Sequence, residues 1–499
     1  MTAERTGKGS FVAGYVWSLG ATALPLLALF LISLITARLL GPRLVGLINS
    51  TMAFATVLLI VAKYGVEGAS SRLISEYEVT SPWRIPRLIR LSVFQRLLFT
   101  VPTAAAAAVF ARPFAAFFKD PALVSLFHLS SFLIFAVSLN ELADFLLIGL
   151  SRFRLLFIAR LAVLVCKVAL VYVVAFLGWG AEGVIGMYSL GAILPTVAVF
   201  FILFRIPAAG APSVDEEPIW TRLLRLSTPL AVSYASFAVF TLQDKLMLQY
   251  YQGAESVGLY SMARNLTEAA LFPTFALVMT LRPSLAGAYA AGDRERCAAV
   301  VNRSLRAGFL YGVLALVVFA CLARPLIVGL FTEKFAPSAP ILLVFVPLIV
   351  MRSIGVVVLP GLVAADRAGT YARLTFAGAV GNFILNALLI PRWRAEGAAV
   401  ATVISYVPIE VLGLGALWRV FPRFWRRGDF AVVAKALPPA AAIIFCYRSV
   451  IPEPPNLIAA IAHAIAICAV FIGALVGLGA VTRAEIAEIA ASLRRRGAR

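Results

Sequence analysis

Long apolar runs alternate with short polar breaks along almost the whole chain. A helix needs about 20 mainly apolar residues, at about 1.5 Å of rise each, to cross a hydrocarbon core. Fourteen stretches qualify, at 11–35, 44–64, 88–111, 122–148, 154–177, 183–204, 225–249, 257–281, 303–323, 338–362, 371–390, 396–418, 431–451 and 456–480. The pattern predicts an all-α integral membrane protein with about 14 transmembrane helices. The run after Lys8 stays apolar through Ile35 with no small-residue cleavage site leading into a soluble domain, so it is expected to remain as the first helix.

The landmarks between the runs repeat. Gly41-x-x-x-Val45-Gly46-Leu47 returns as Gly253-x-x-x-Val257-Gly258-Leu259, and Ala111-Arg112-Pro113 returns as Ala323-Arg324-Pro325. Trp179-x-Ala181-Glu182-Gly183 returns as Trp393-x-Ala395-Glu396-Gly397. Offsets of 212, 212 and 214 residues point to an internal duplication. Each copy holds six spans, an even number, so the copies enter the membrane from the same side as parallel repeats. Pro25 and Pro229 fall in the first span of each copy, Pro195 and Pro408 in the last. Such prolines either line a cavity or make a static packing kink. Gly41 and Gly253 are expected to end helices in the left-handed conformation, and the Ala-Glu-Gly motifs to form a turn and a helix start with solvated glutamates.

This organisation gives an N-terminal six-helix lobe at 1–207, a cytoplasmic linker at 208–219 and a second six-helix lobe at 220–420. Two additional transmembrane helices follow at 421–481. A basic amphipathic tail at 482–499 opens on a capping-box pattern, Thr482-x-x-Glu485, and carries Arg494, Arg495 and Arg496.

Composition supports the membrane reading: 62% of residues are hydrophobic, 14% are charged and the mean hydropathy is +0.94, against roughly a quarter charged in soluble domains. A net charge of +20 would suggest nucleic acid in a soluble protein. With a cytoplasmic N-terminus, however, about 30 of the 44 Lys and Arg lie on the cytoplasmic side and about 9 outside, the positive-inside bias. Both termini are therefore expected in the cytoplasm. Groups such as Arg84, Arg87 and Arg90, or Arg294, Arg296, Arg303 and Arg306, read as orientation signals and contacts to anionic membrane lipid, with no nucleic-acid partner. Five cysteines and two histidines show no metal-ligand spacing, so neither metal nor cofactor is expected.

Ionisable groups inside spans are costly and usually face a cavity or a partner. The cationic candidates are Arg264, Lys245, Lys167, Arg96 and Arg352. A basic, water-filled cavity suits phosphate or diphosphate, which Arg holds through paired hydrogen bonds. The acidic candidates, able to take up a coupling proton or sodium ion, are Asp244, Asp144, Glu268 and Glu410, with Glu141 also inside a span. Arg264 and Glu268 stand four apart, so a local ion pair is an equal reading. Asp244 and Lys245 are adjacent and address different surfaces.

The second copy carries Leu226-Ser227-x-Pro229-Leu230, Asp244-Lys245-Leu246-Met247-Leu248, Gly253-x-x-x-Val257-Gly258-Leu259-Tyr260 and Leu388-Leu389-Ile390-Pro391 before Glu396-Gly397-Ala398-Ala399. The first copy adds Ala37-Arg38-Leu39-Leu40-Gly41-Pro42 and Gly149-x-x-Arg152-Phe153. Together these resemble the Wzx-type polysaccharide flippases of the multidrug/oligosaccharidyl-lipid/polysaccharide (MOP) exporter superfamily, over nearly the whole chain. The resemblance implies two six-helix lobes around a central cavity plus two extra helices, in the bacterial inner membrane. It implies alternating access that carries a polyprenyl-diphosphate-linked oligosaccharide outward in polysaccharide biosynthesis, lipopolysaccharide included, with H+ or Na+ as coupling ion. The protein would work as a monomer, beside glycan polymerase machinery. Asp244 and Arg264 become the leading site residues.

Within the same superfamily, lipid II flippases also carry cavity arginines in the first and second helices. Here the first span is uncharged from Phe11 to Ile35, and the repeat partner of Arg264 is Met52. Multidrug exporters of the MATE type have twelve spans, so the last two spans count against them. A membrane glycan polymerase or ligase would need catalytic groups on a sizeable loop, and the longest breaks, 65–87 and 282–302, hold no aspartate pair or metal cluster.

Overall fold

The computed structural model describes residues 8–207, 218–421, 424 and 427–480. Most of the linker and the whole basic tail, with the Thr482-x-x-Glu485 pattern and Arg494 to Arg496, lie outside the described residues. The helices are α1 (Lys8–Leu40), α2 (Pro42–Lys63), α3 (Val66–Thr80), α4 (Ile85–Val109), α5 (Ala111–Phe117), α6 (Leu123–Gly149), α7 (Phe153–Leu177), α8 (Gly180–Leu203) and α9 (Ile219–Gln252). They continue as α10 (Ala254–Ala270), α11 (Phe272–Ala290), α12 (Arg294–Leu330), α13 (Ser338–Gly355), α14 (Val358–Ala364), α15 (Ala368–Val420), α16 (Arg427–Val450) and α17 (Leu457–Gly477). Among the described residues there is no strand.

Among the described residues, eleven helices are long and apolar enough to cross a membrane. One of them, Gly369–Val420, is two helices joined at Arg394, whose φ of 50° and ψ of −130° break the α-helical path. These halves match the expected spans at 371–390 and 396–418. The remaining expected spans, 225–249 and 257–281, fall on α9 and across α10 and α11, which part at Leu271. All fourteen apolar runs thus lie on helix.

The duplication is written in the backbone as well as in the motifs. Positive φ recurs at Gly41 and Gly253, Lys119 and Thr332, Ser151 and Asp366, and Gly180 and Arg394, at offsets of 212, 213, 215 and 214 residues. The helix break at Phe110 (φ −92°, ψ 11°) returns as the kink at Leu322 (φ −116°, ψ 16°) inside α12, just before the repeated Ala-Arg-Pro. Gly41 and Gly253 correct the sequence expectation in one respect. Their ψ values are 173° and −179°, so they do not adopt the left-handed helical cap but the positive-φ extended region that only glycine enters readily.

Packing divides the chain into two compact units, Met1–Ser261 and Met262–Arg499. The division falls later than the repeat boundary because α9 packs on α2 and α3 of the first unit. A further tie is made by the repeated motif itself. A Cβ on Gly46 would come within 3.0 Å of Gly258 N and collide with the Ala254 carbonyl; one on Gly258 would come within 3.1 Å of Gly46 N and collide with that of Pro42. The starts of α2 and α10 therefore touch backbone to backbone, as small residues allow in membrane helices.

The 65–87 break is not a loop. Val66, Ala69, Leu73 and Tyr77, spaced three or four apart, bury one face of α3 against Leu88 of α4 and Leu142 and Leu146 of α6. In the second unit, Phe309, Val313 and Val317 of α12 share a core with Ala436 and Ala440 of α16 and Phe471 and Leu475 of α17. The two helices outside the duplication are thus anchored on α12.

Candidate functional site

In the second unit the charged candidates converge. Arg264 and Glu268, one turn apart on α10, pair at 3.3 Å between Nε and Oε1. Arg352, from α13, donates through Nη1 to the same Oε1 at 2.7 Å. Two guanidinium groups thus share one carboxylate oxygen. Glu268 is partly exposed, as is Arg352, so the trio meets open space. The guanidinium of Arg352 also lies 5.5 Å from the Tyr406 ring centroid and that of Arg264 5.9 Å from the Phe345 ring, contacts that fix a planar cation over an aromatic face.

The position of Arg352 follows from glycine spacing on α12. Gly308 and Gly312 stand four apart, and a Cβ on Gly312 would lie 2.9 Å from Val350 Cα. One on Gly308 would strike the Ser353 carbonyl. α12 and α13 therefore approach closely on either side of Arg352, a small-xxx-small contact. Glu410, on the second half of α15, packs its carboxyl group against Gly355 at the end of α13.

The first unit holds a separate cavity of about 680 Å³. Pro25 of α1 lies on its wall, together with Lys63, Glu141, Asp144, Arg160 and Lys167. Its charges are largely matched. Lys63 pairs with Glu141; Arg160 Nε donates to Asp144 Oδ2 at 2.8 Å, and its Nη1 to the Ala21 carbonyl at 2.7 Å. Lys167 runs its stem over Gly191, where a Cβ would come within 2.6 Å of Lys167 Cγ, and sets its ammonium 5.1 Å from the Tyr188 ring. Asn140 donates to Thr196 Oγ1 at 3.0 Å beside these groups.

Three other candidates have partners of their own in the first unit. Arg96 is fully buried and donates to Glu67 at 2.6 Å, a pair that ties α4 to α3. Asp244 is buried and accepts from Tyr260 Oη at 2.7 Å, while Lys245 Nζ donates to Asn49 Oδ1 at 2.9 Å. The two neighbours do point to different partners, as their 100° separation around a helix requires. Lys63, Arg160 and Tyr406 are not among the charged candidates that the sequence points to. Tyr406 carried a signal, four residues before Glu410 and so on the same helical face; Arg160 carried none beyond its place inside an apolar run.

A family model described as polysaccharide biosynthesis protein matches residues 11–287, more than half of the chain. The chain belongs to this family. A second family model, MatE, matches residues 229–388. A curated relative, the probable low-salt glycan biosynthesis flippase Agl15 of Haloferax volcanii, is 23% identical over 173 residues, 35% of this chain and 37% of the relative. The match thus spans little more than a third of that relative's length. Among solved structures, the lipid II flippase MurJ in an inward closed conformation gives a TM-score of 0.72 at 14% identity, over 92% of this chain and 98% of that one. An inward-facing multidrug resistance MATE family transporter of the MOP superfamily gives 0.67 at 14% identity, over 82% and 98%. A MOP superfamily transporter from Pyrococcus furiosus gives 0.57 at 16% identity, over 82% and 94%. The polysaccharide biosynthesis family member described here therefore has the all-α transporter fold of the MOP superfamily.

Proposed function

We propose that this protein moves a polyprenyl-diphosphate-linked oligosaccharide from the cytoplasmic to the outer leaflet by alternating access, coupled to a proton or sodium gradient, in polysaccharide biosynthesis. The observation that carries this reading is the Arg264–Glu268–Arg352 trio, in which two guanidinium groups share a single carboxylate oxygen. Such an arrangement sets two planar guanidinium groups side by side, and a diphosphate offers the paired oxygens that Arg binds best. Membership of the family and the glycan-flippase name of the Haloferax volcanii relative support the same substrate class. The lipid II reading is disfavoured because α1 from Gly20 to Ile35 carries no charged residue and the repeat partner of Arg264 is Met52. The multidrug reading is disfavoured by α16 and α17, two apolar helices that have no counterpart in the duplicated six-span copies.

The test is translocation of a labelled lipid-linked oligosaccharide in liposomes holding the purified protein. Losing one charge-assisted hydrogen bond costs about 1.5–3 kcal/mol, so Arg264→Ala and Arg352→Ala should each lower apparent affinity by roughly ten- to hundredfold. Wild-type transport in both variants would remove the trio from the site. Sugar transfer without translocation would replace the transport reading with a glycan polymerase or ligase. Lipids extracted from cells lacking the gene would contain the accumulated intermediate, whose glycan names the substrate.

A further inference from the structure

The charges around the first-unit cavity do not cancel. Lys63 is taken by Glu141, and Arg160 by Asp144 and the Ala21 carbonyl. Glu67, which also lies on the wall, is held by Arg96 at 2.6 Å. Lys167 is the cation left over. Glu141 and Asp144 act on it electrostatically, but each is already ion-paired. The Lys167 ammonium makes no hydrogen bond or ion pair of its own among the described residues; its partner is the face of the Tyr188 ring, 5.1 Å away. The Tyr188 hydroxyl, on the same wall, is likewise without a hydrogen bond among the described residues.

Snorkelling does not account for this lysine. It lies ten residues before Leu177, the end of α7, about 15 Å at helical rise and farther than its stem extends. Nor is the charge pattern a relic of the duplication: at offsets of 212–215 residues no charged residue stands opposite Lys63, Glu141, Asp144 or Lys167. An ammonium and a phenol hydroxyl together offer donors to the two oxygens of one carboxylate. A phosphate fits less well, because its charge would stand beside Glu141 and Asp144, and the guanidinium that would fork onto it is already engaged. Asn140 and Thr56 add an amide and a hydroxyl to a largely apolar wall, and about 680 Å³ is the size of a small-ligand pocket, roughly 300–1,000 Å³.

We propose that the first-unit cavity receives an acidic sugar of the glycan, a uronic-acid-type residue whose carboxylate is held by Lys167 Nζ and Tyr188 Oη. The inference rests on the reading of the protein as a glycan flippase and names a class of sugar which that reading leaves open.

The experiment is calorimetric titration of the full chain in detergent, in physiological salt to screen surface charge. The probes are a trisaccharide of two neutral hexoses ending on one glucuronic acid, and its methyl ester, which keeps the sugar and removes the charge. Wild-type protein should bind the acid roughly tenfold or more tightly than the ester, the worth of one charge-assisted hydrogen bond. Equal binding of the two, or none by the acid, overturns the proposal without any variant. Lys167→Gln should bind the acid as weakly as the ester, with ester binding retained as the sign of an intact fold. Tyr188→Phe, a milder change should the first variant not fold, should lose part of the preference. A wild-type preference in either variant overturns the site, as does a preference lost in Arg264→Ala but kept in Lys167→Gln, which would assign the acid to the arginine trio. Displacement of the acid trisaccharide by equal concentrations of inorganic phosphate or acetate would show an anion site with no part for the sugar, and overturn it too. Failure to translocate lipid-linked glycans in liposomes, with the preference for the acid kept, would instead overturn the flippase reading.

Discussion

Arg96 and Arg352 show two fates of a guanidinium placed in an apolar run. Arg96 is wholly enclosed and opposed one-to-one by Glu67, whose side chain is 5% exposed. Two charges withdrawn from water in this way are tolerated only together, so removing one partner leaves the other uncompensated. Arg96→Met should therefore destabilise the protein by about 3–5 kcal/mol, and pairing it with Glu67→Met should restore most of the loss. Thermal unfolding of the purified protein in detergent measures both; a double variant no better than the single would show that packing, not charge, holds the pair. Arg352 instead shares its carboxylate and stays partly exposed, an arrangement suited to a ligand rather than to a scaffold. The sequence placed both arginines inside spans. Their roles differ because Glu67 and Glu268 lie 29 and 84 residues away from them, distances that only folding closes.

At the scale of elements, glycine decides which helices can touch. Gly46→Ala and Gly258→Ala each drive a methyl group into a carbonyl of the opposing helix start, and overpacking of this kind costs about 1–3 kcal/mol. Gly186→Ala and Gly287→Ala, with nothing within 4 Å of the added Cβ, should leave melting unchanged or raise it slightly. Gly253→Ala isolates a different effect. Its Cβ meets nothing within 4 Å, yet a φ of 78° at ψ −179° should still cost about 1–3 kcal/mol of backbone strain. Equal melting temperatures for all five variants would defeat this ranking. The repeated Gly-x-x-x-Val-Gly-Leu motif was visible as a repeat, and its turn was anticipated. That Gly46 and Gly258 face each other was not, because mutual contact has no signature in either copy alone. α3 was legible from Val66, Ala69, Leu73 and Tyr77; its modest length and its serines and glutamates made it read as a break.

For the whole molecule, the positive-inside bias predicts orientation, and reporter fusions test it. A phosphatase inserted between α16 and α17, at residues 452–456, should be active outside, whereas one fused after Arg499 should be inactive; the reverse pattern would invert the topology. Apolar run length, the offset of about 213 residues and the charge asymmetry are all local or periodic quantities, so the sequence by itself determined an all-α membrane chain and its internal duplication, and set its expected orientation. It also named Arg264, Glu268, Arg352 and Glu410 as charges the hydrocarbon would not tolerate alone. Only the tertiary structure decided that Arg264 and Arg352 converge on one oxygen of Glu268, that Glu410 is pressed on Gly355 beside them, and that Arg96 is taken up by Glu67. The reason is physical: transfer into an apolar phase acts on each residue where it stands in the chain, whereas the partner that neutralises a buried charge is chosen by helix packing between positions distant in sequence.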